Sequence, residues 1–431
     1  MKILLVGEGA REHIIAEKLA QDSELYAVMS RKNPAIAQLS KKYWIADTAD
    51  AEAVANAVDV DIDLAFSSPD ATLAAGVSDA LADKGILVAS PLKAAARIEW
   101  DKGFMRNLME KYRIIGSPRH KLASSEEEAI NAIRDLGMVA IKPLGLTGGK
   151  GVKVSGDHFK TIDEKFAYAQ ELIRKDGNVL IEEKLVGEEF TLQAFCDGNS
   201  LAYMPPVQDH KRAFVGDAGA NTGGMGSYST GPLLPFMTKE DLDHSQEIMR
   251  LIIHAMKKEG FPFTGVLYGQ FMAGPDGPKV IEFNSRFGDP EAMNVLSLLK
   301  SPLSDILLSM ADGNLEQPEF SDECTVVKYL VPDGYPEKPV KDAEVTVDAE
   351  SLEHAGGKIY YASVYEKEGK IYTTGSRSFG ILGKAKTLDE AEAIAESCCG
   401  CVSGPVWHRE DIGTKELVQK RIDHMMEIRN R

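Results

Sequence analysis

Over the first hundred residues, short apolar runs alternate with stretches of helical spacing. Ile3–Val6 is followed by Glu12–Ala20, Leu25–Ser30 by Ala51–Val58, and Leu64–Ser67 by Ala71–Asp83, before a last apolar run at Ile86–Ala89. That is βαβ periodicity, and it predicts a small parallel sheet. A basic helix over Asp101–Arg113 leads into a mixed segment: helix Ser124–Leu136, buried strand Met138–Leu144, strand Val152–Ser155, helix Ile162–Lys175 and strand Asn178–Leu185. A long helix, Lys239–Lys258, then precedes two strands, Gly265–Met272 and Lys279–Arg286, placed to pair antiparallel. After Pro318 come short strands with Gly and Pro turns and a helix over Leu388–Ser397, the pattern of a compact α+β domain. The charged run from Thr414 has helical spacing and reads as one exposed helix. The expected fold is therefore α/β and α+β multidomain. Its units are a βαβ domain over 1–100, a linker helix over 101–118, two middle subdomains over 119–186 and 187–322, and an α+β domain over 323–431.

Composition narrows the partners. With 431 residues and a net charge of −17, the chain is long enough for several cores and poorly suited to nucleic acid or an anionic membrane surface. Anionic substrates would need local clusters of Lys and Arg. No apolar run reaches the length of a membrane span, and Met1-Lys2 runs directly into the first strand with no signal-peptide pattern, so cytoplasm is expected. Five cysteines fit a reducing compartment. Cys398, Cys399 and Cys401 cluster ahead of His408, but they form no pair of C-x-x-C motifs, so buried or incidental thiols are expected rather than a metal site.

Three segments carry chemistry. In Val280–Glu291 the strand alternation puts Glu282 and Asn284 on one face, and a carboxylate with an amide oxygen is the donor set that Mg²⁺ prefers. Such a site completes its shell with water and substrate phosphates, although a strand with a solvated polar face would show the same pattern. Arg286, Asp289, Pro290 and Glu291 follow at the strand's exit. Upstream, Lys142 runs into Gly145-Leu146-Thr147-Gly148-Gly149-Lys150-Gly151, whose glycines can turn backbone N–H groups toward phosphate oxygens while Lys142 and Lys150 add charge. A glycine-rich hairpin is the alternative there; a Walker A loop is excluded, because the loop joins two strands. Third, Glu182-Glu183-Lys184-Leu185 ends a strand whose backbone could read an adenine edge, with a nearby carboxylate for ribose hydroxyls; an acidic surface turn is the alternative. The first strand ends in Gly7-Glu8-Gly9, but Glu12 takes the third glycine's place and Ser30-Arg31-Lys32 ends the second strand, which excludes a dinucleotide fingerprint. A phosphate at that helix start, beside Arg11, fits better.

In this order, K-x-x-G-x-x-G-G-K-G, E-E-K-L-x-G-E-E and E-F-N-x-R-F-G-D-P-E resemble the ATP-grasp carboxylate–amine ligases. Glu-Gly-Ala-Arg-Glu-His at 8–13, Gln-Asp-His-Lys-Arg at 208–212, Asn-Thr-Gly-Gly-Met-Gly at 221–226 and Arg-Phe-Gly-Asp-Pro-Glu at 286–291 narrow the resemblance. They are similar to the phosphoribosylamine–glycine ligases (glycinamide ribonucleotide synthetases), in consistent order from residue 1 to about Thr414. That resemblance implies a carbon–nitrogen ligase of purine biosynthesis that uses ATP with Mg²⁺ or Mn²⁺, acts on glycine and phosphoribosylamine, and exists as a monomer or weak dimer. It implies that 119–186 is a lid over ATP and 187–322 the larger half of the clamp.

The resemblance also assigns roles. Nucleotide would be held by Lys102, Lys142, Gly148, Gly149, Lys150, Gly151, Glu182, Glu183, Lys184, Leu185 and Glu189. Phosphoribosylamine would meet Gly9, Arg11, Glu12, Pro69 and Asp70, the last standing where relatives more often have Glu. Asp209 would face the ammonium of glycine and the N–H groups of Asn221, Thr222, Gly223, Gly224, Met225 and Gly226 its carboxylate, with Lys211, Arg212, Asp289, Pro290 and Glu291 nearby. Glu282 and Asn284 would hold the metal, Gln270 would stand beside them on the paired strand, and Arg286, Lys142 and Asp209 would carry catalysis. Another ATP-grasp ligase, or a nucleotide-binding protein without catalysis, are the competing readings.

Overall fold

A computed structural model describes residues 1–145 and 151–430. The expected α/β and α+β architecture is present. Lys2–Val6 lies at the centre of a five-stranded sheet, flanked by Glu24–Met29 and Leu64–Ser67, with Lys42–Ile45 and Leu87–Val88 at the edges, all pairs parallel. Ile3, Leu4, Leu5 and Val6 have no exposure, the unbroken apolar run that a sheet covered on both faces requires. The edge strand Lys42–Ile45 escapes the apolar periodicity because Tyr43 and Ile45 are exposed.

Two expected helices are each built differently. Ala71–Asp83 is broken at Gly76, whose φ of 89° ends Asp70–Ala75 and starts Val77–Asp83. The basic helix is shorter, Lys102–Lys111, and a second helix, Lys93–Trp100, precedes it across Asp101. Lys239–Lys258 has the bounds its pattern predicts, fixed at its start by a capping box between Thr238 and Asp241.

Three of the antiparallel sheets that follow position the site. The lid sheet runs His120–Ala123, Val179–Glu183, Val139–Lys142, Lys153–Val154, and its helices Glu126–Leu136 and Ile162–Asp176 close a core of their own around Ile133, Ile141, Leu172 and Ile181. The clamp sheet runs Leu201–Tyr203, Glu188–Asp197, Thr264–Gly274, Gly277–Asn284. The third sheet brings Gln208–Asp209 and Gly226–Ser229 beside Cys324–Pro332, Phe379–Ala385 and Lys358–Tyr361. The middle of the chain thus shares a sheet with its last hundred residues. One apolar cluster joins Ile3 and Ile14 to Phe195, Phe287, Tyr329 and Tyr360.

The final helix, Lys415–Arg429, is not an exposed rod as its charge suggests. Leu417, Val418, Met425 and Ile428 are buried, and Arg429 pairs with Asp241 at 2.5 Å. Among the described residues no helix is long and apolar enough to cross a membrane, and no group of three or more His, Cys, Asp or Glu residues could hold a metal. Cys398, Cys399 and Cys401 are free thiols, and His408 pairs instead with Glu396 at 3.1 Å.

Candidate active site

The site is built on the clamp sheet. Gly277–Asn284 pairs antiparallel with Thr264–Gly274, as its spacing predicts, setting Gln270 opposite Glu282 and Tyr268 opposite Asn284. The next strand adds Glu189, Thr191 and Gln193, opposite Met272, Gln270 and Tyr268, to the same face. Two adjoining cavities open over that face. The larger, about 670 Å³, is lined by Lys142, Val154, Glu188, Met272 and Ile281 among others; the smaller, about 280 Å³, by Arg11, Lys102, Tyr268, Arg286 and Arg377 among others. Asp209, Lys211, Thr222 and Glu282 line both.

Electrostatics concentrate at this joint. Burial would raise the Glu282 carboxyl, but Lys211, Lys102, Lys142 and Arg286 more than offset it and hold it below its ordinary range. Burial would lower Lys211, yet Glu189, Glu282, Asp209 and Glu291 carry it upward. Lys102, whose Nζ donates to the Gly145 carbonyl at 3.2 Å, is lowered by burial. Neither Glu282 nor Asn284 has a side-chain hydrogen bond or an ion pair within 4 Å among the described residues. The residues present therefore fit a hard divalent cation: two oxygen donors on one strand face, uncommitted, beside a cavity with room for the rest of the shell.

Several residues singled out from sequence turn out to be committed elsewhere. Glu182 is buried and ion-paired with Arg106 at 2.5 Å and Lys142 at 2.7 Å, so it offers no free carboxylate to a ribose. Glu183 points the other way, to Lys279 (2.6 Å) and Arg119 (3.1 Å), as strand alternation requires. Lys184 Nζ donates to the Ser155 carbonyl at 2.8 Å, and Leu185 is half-buried. Gln270 is a bridge: its amide oxygen accepts from Lys211 and its Nε2 donates to Glu189, both at 2.7 Å. Glu12 is not aimed at a ligand, because its two oxygens accept from the Gly9 N–H and from Arg11 Nε, both at 2.6 Å. The Gly9 N–H is thereby taken as well. Arg11 also donates to the Phe287 carbonyl at 3.0 Å and lines the smaller cavity. Pro69 caps the helix that Asp70 begins, and Asp70 lines the same cavity.

Part of the Asn221–Gly226 loop is corrected in the same way. The N–H of Thr222 bonds the Lys211 carbonyl, that of Gly224 bonds Thr222 Oγ1, and that of Met225 bonds the His210 carbonyl. Gly226 is in the ladder opposite Lys328. The N–H groups of Thr222, Gly224 and Met225 are therefore not free for a carboxylate. Asp209 is close against the loop, since a Cβ on Gly224 would stand 2.6 Å from its Oδ1. That Oδ1 is buried without a partner, and burial, then Glu291, drive the Asp209 carboxyl well above its ordinary range. Arg212 is half-buried and donates to the Gly219 carbonyl at 2.8 Å. Asp289 accepts from Tyr329 at 2.5 Å and Arg377 at 3.0 Å, while Pro290 precedes the helix Glu291–Leu298 and Glu291 accepts from Tyr268 at 2.8 Å. Gly151 accepts from Tyr168 at 2.8 Å; Gly148, Gly149 and Lys150 lie outside the described residues.

The sequence reading passed over three side chains. Glu99 holds the strand exit, accepting from Ser285 N (2.9 Å) and Oγ (2.7 Å) and pairing with Arg286 at 2.9 Å; its signal was a carboxylate on the buried face of Ala95, Ala96 and Ile98. Arg286 keeps a buried Nε–H without an acceptor and is raised, with Glu99 the leading carboxylate overcoming its burial. Tyr268 follows from the strand register two residues back from Gln270. Arg377, from the C-terminal sheet region, donates to the carbonyls of Gly223 (2.7 Å), Gly224 (2.8 Å) and Asp289 (3.1 Å), and no local motif marks it.

Family models for the N, ATP-grasp (A) and C domains of phosphoribosylglycinamide synthetase match residues 1–99, 100–292 and 325–415. A phosphoribosylamine–glycine ligase of Methanosarcina barkeri is 51% identical over 437 residues, covering all of both chains. The chain belongs to the phosphoribosylglycinamide synthetase family. A solved phosphoribosylamine–glycine ligase of Thermotoga maritima has a TM-score of 0.82 at 28% identity, over 95% of this chain and 100% of its own. The family shares its fold more widely. The biotin carboxylase domain of a Hydrogenobacter thermophilus 2-oxoglutarate carboxylase, solved with MgADP and bicarbonate, superposes with a TM-score of 0.71 at 15% identity, covering 99% of this chain and 93% of that one.

Proposed function

We propose that the two cavities together join glycine to 5-phosphoribosylamine with ATP, giving glycinamide ribonucleotide, ADP and phosphate. The observation that carries this reading is the joint, where Glu282, Lys211 and Asp209 line both a nucleotide-sized cavity and a smaller one rich in cations. Family membership brings the ligase chemistry, and two adjoining cavities with shared lining support a reading in which the reactants meet there.

Glycine's carboxylate has no leaving group, so the γ-phosphoryl of ATP is transferred to one of its oxygens and ADP departs. The nitrogen lone pair of phosphoribosylamine then attacks the acyl carbon of glycyl phosphate. The C–O bond breaks, phosphate leaves, and the nitrogen loses a proton. Both steps gather negative charge at one place, so fixed donors there are the main source of catalysis. Lys142 and Lys102 would face the phosphoryl groups from the nucleotide side. Lys211, steered by Gln270, and Arg286, held by Glu99, would face the transferred group from the other. Glu282 and Asn284 would hold Mg²⁺ or Mn²⁺, which when bound neutralises charge on the phosphate oxygens. Asp209 would take the ammonium of glycine, and Arg11 the ribose phosphate of phosphoribosylamine in the smaller cavity.

The test is ADP release with glycine and freshly made phosphoribosylamine, each omitted in turn. Release should need both. Equal release with bicarbonate or another amino acid in place of glycine would overturn the reading in favour of a different ATP-grasp ligase.

A further inference from the structure

Arg377 reaches the smaller cavity from the C-terminal part of the chain. It stands in the turn between Lys370–Thr373 and Phe379–Ala385, and that turn is tied down on both sides: the Arg377 carbonyl accepts from the Ser363 N–H at 2.9 Å, and the Ser378 N–H bonds the Leu330 carbonyl at 2.8 Å. The guanidinium is equally fixed. It lies 4.3 Å from the centre of the Tyr329 ring, its Nη2 donates to Asp289 Oδ2 at 3.0 Å, and the Tyr329 hydroxyl donates to the other Asp289 oxygen at 2.5 Å. Nη1 then points into a group of three carbonyls, those of Gly223, Gly224 and Asp289.

The loop it grips has little else to hold its middle. The Thr222 and Met225 N–H groups bond back to the Lys211 and His210 carbonyls, and the Met225 carbonyl accepts from the Tyr329 N–H, but among the described residues no backbone N–H reaches the carbonyls of Gly223 and Gly224. Arg377 supplies their donor. Held there, the loop forms a wall. A Cβ on Gly224 would stand 2.6 Å from Asp209 Oδ1 and 2.7 Å from Pro290 Cδ, so bare backbone is packed directly on the carboxylate. Asp209, Thr222, Gly223 and Arg377 line the smaller cavity together. An amino acid whose ammonium meets Asp209 therefore presents its Cα to this wall, and any substituent on that Cα competes with the loop for space. Glycine has none.

Resting on the function proposed above, we infer that Arg377 is a positioning residue that sets selectivity for glycine, by pinning the Gly223–Gly224 wall against Asp209. Without the guanidinium the carbonyls lose their shared donor, and the loop relaxes toward water between its anchors at Thr222 and Met225. Space then opens beside the ammonium site. A wall acts on one side of Cα, so the change admits one hand of a substituted amino acid before the other.

Steady-state ADP release with phosphoribosylamine and glycine, L-alanine or D-alanine reads this directly. Wild type should favour glycine over either alanine by about a hundredfold in kcat/KM, the scale of forcing a methyl group into filled space. Arg377→Met should bring the preference over one of the alanines to about tenfold or less. Arg377→Lys keeps a cation beside Asp289 without the planar fork that spans the carbonyls, so it should fall between the two, and it carries the test if the methionine variant does not fold. A ratio of kcat/KM values from one preparation does not depend on how much of it is folded, so lost stability cannot imitate the effect. Wild-type ratios in every variant that folds, even at lower rates, would overturn the inference, since that is the pattern of an Arg377 that holds the substrate carboxylate itself. A wild type that releases ADP equally with alanine, or none with glycine and phosphoribosylamine, would instead refute the proposed function.

Discussion

The buried triad of Arg106, Glu182 and Lys142 ties the lid sheet to the helix that precedes it, and Glu182→Gln isolates its electrostatic part, because the amide keeps the shape and loses the charge. Burial alone would raise the Glu182 carboxyl, but Arg106 and then Lys142 reverse this and hold it at about 2, against an ordinary value of 4.5. A difference of about 2.5 units at 1.36 kcal/mol each amounts to about 3 kcal/mol. Removing one member of a buried pair typically costs about 3–5 kcal/mol, so two independent routes agree. The sign follows from the depressed value. The contribution is complete above the unfolded pKa and is lost as pH falls from about 4.5 to about 2. Amide hydrogen exchange in Val179–Glu183 and its partners His120–Ala123 and Val139–Lys142 reads the lid without assuming that the whole chain unfolds in one step. At pH 7 the variant should exchange faster there by about two orders of magnitude, and the gap should narrow at acid pH. An increase below about threefold at pH 7 would refute the reasoning, since the desolvation of three charges would then cancel their attraction.

Glu282→Gln should lower turnover by about a hundredfold or more while the KM for ATP stays within a few-fold, because the charge acts on the transferring group; wild-type turnover at saturating Mg²⁺ would remove Glu282 from the metal site. Arg11→Ala should raise the KM for phosphoribosylamine by about tenfold and leave that for ATP near wild type. The reverse pattern would mean that the two substrates are assigned to the wrong cavities. Because Asp209 is raised by burial and Glu291, and the ammonium of glycine favours its carboxylate, glycine binding should release a proton. The KM for glycine should therefore fall as pH rises above the ordinary carboxylate range, and Asp209→Asn should abolish the slope; a flat profile in wild type would refute the pairing.

What could be read in advance followed local rules. The parallel sheet, the long helix from Lys239 and the pairing of Gln270 with Glu282 are written in periodicity and turn spacing, which act over a few residues. That Glu282 and Asn284 share a face was legible because two polar residues two apart on an apolar strand stand out. The commitments of Glu182, Glu12 and the Thr222 N–H were not, because each depends on a partner that only the tertiary fold supplies: Arg106 for the first, the turn at Gly9 for the second, the Lys211 carbonyl for the third. Arg377 shows the limit most plainly. It reaches the Gly223–Gly224 loop from more than 150 positions away along the chain, and nothing around it in sequence indicates that destination. The last helix misled for a different reason, since its buried residues at 417, 418, 425 and 428 are few against a background of charge.

The two apolar clusters described above make the chain unequally modular. Ile3, Phe195, Phe287 and Tyr329 share one interior, so cutting between the regions that supply them would strip each piece of the surface it folds against. The lid keeps Ile133, Ile141, Leu172 and Ile181 to itself. Recombination between related ligases should therefore tolerate exchange of the lid as a cassette, with Arg106 and Lys279 among the residues the incoming piece must match, whereas grafts of the first or last hundred residues should need compensating changes across the whole shared interior.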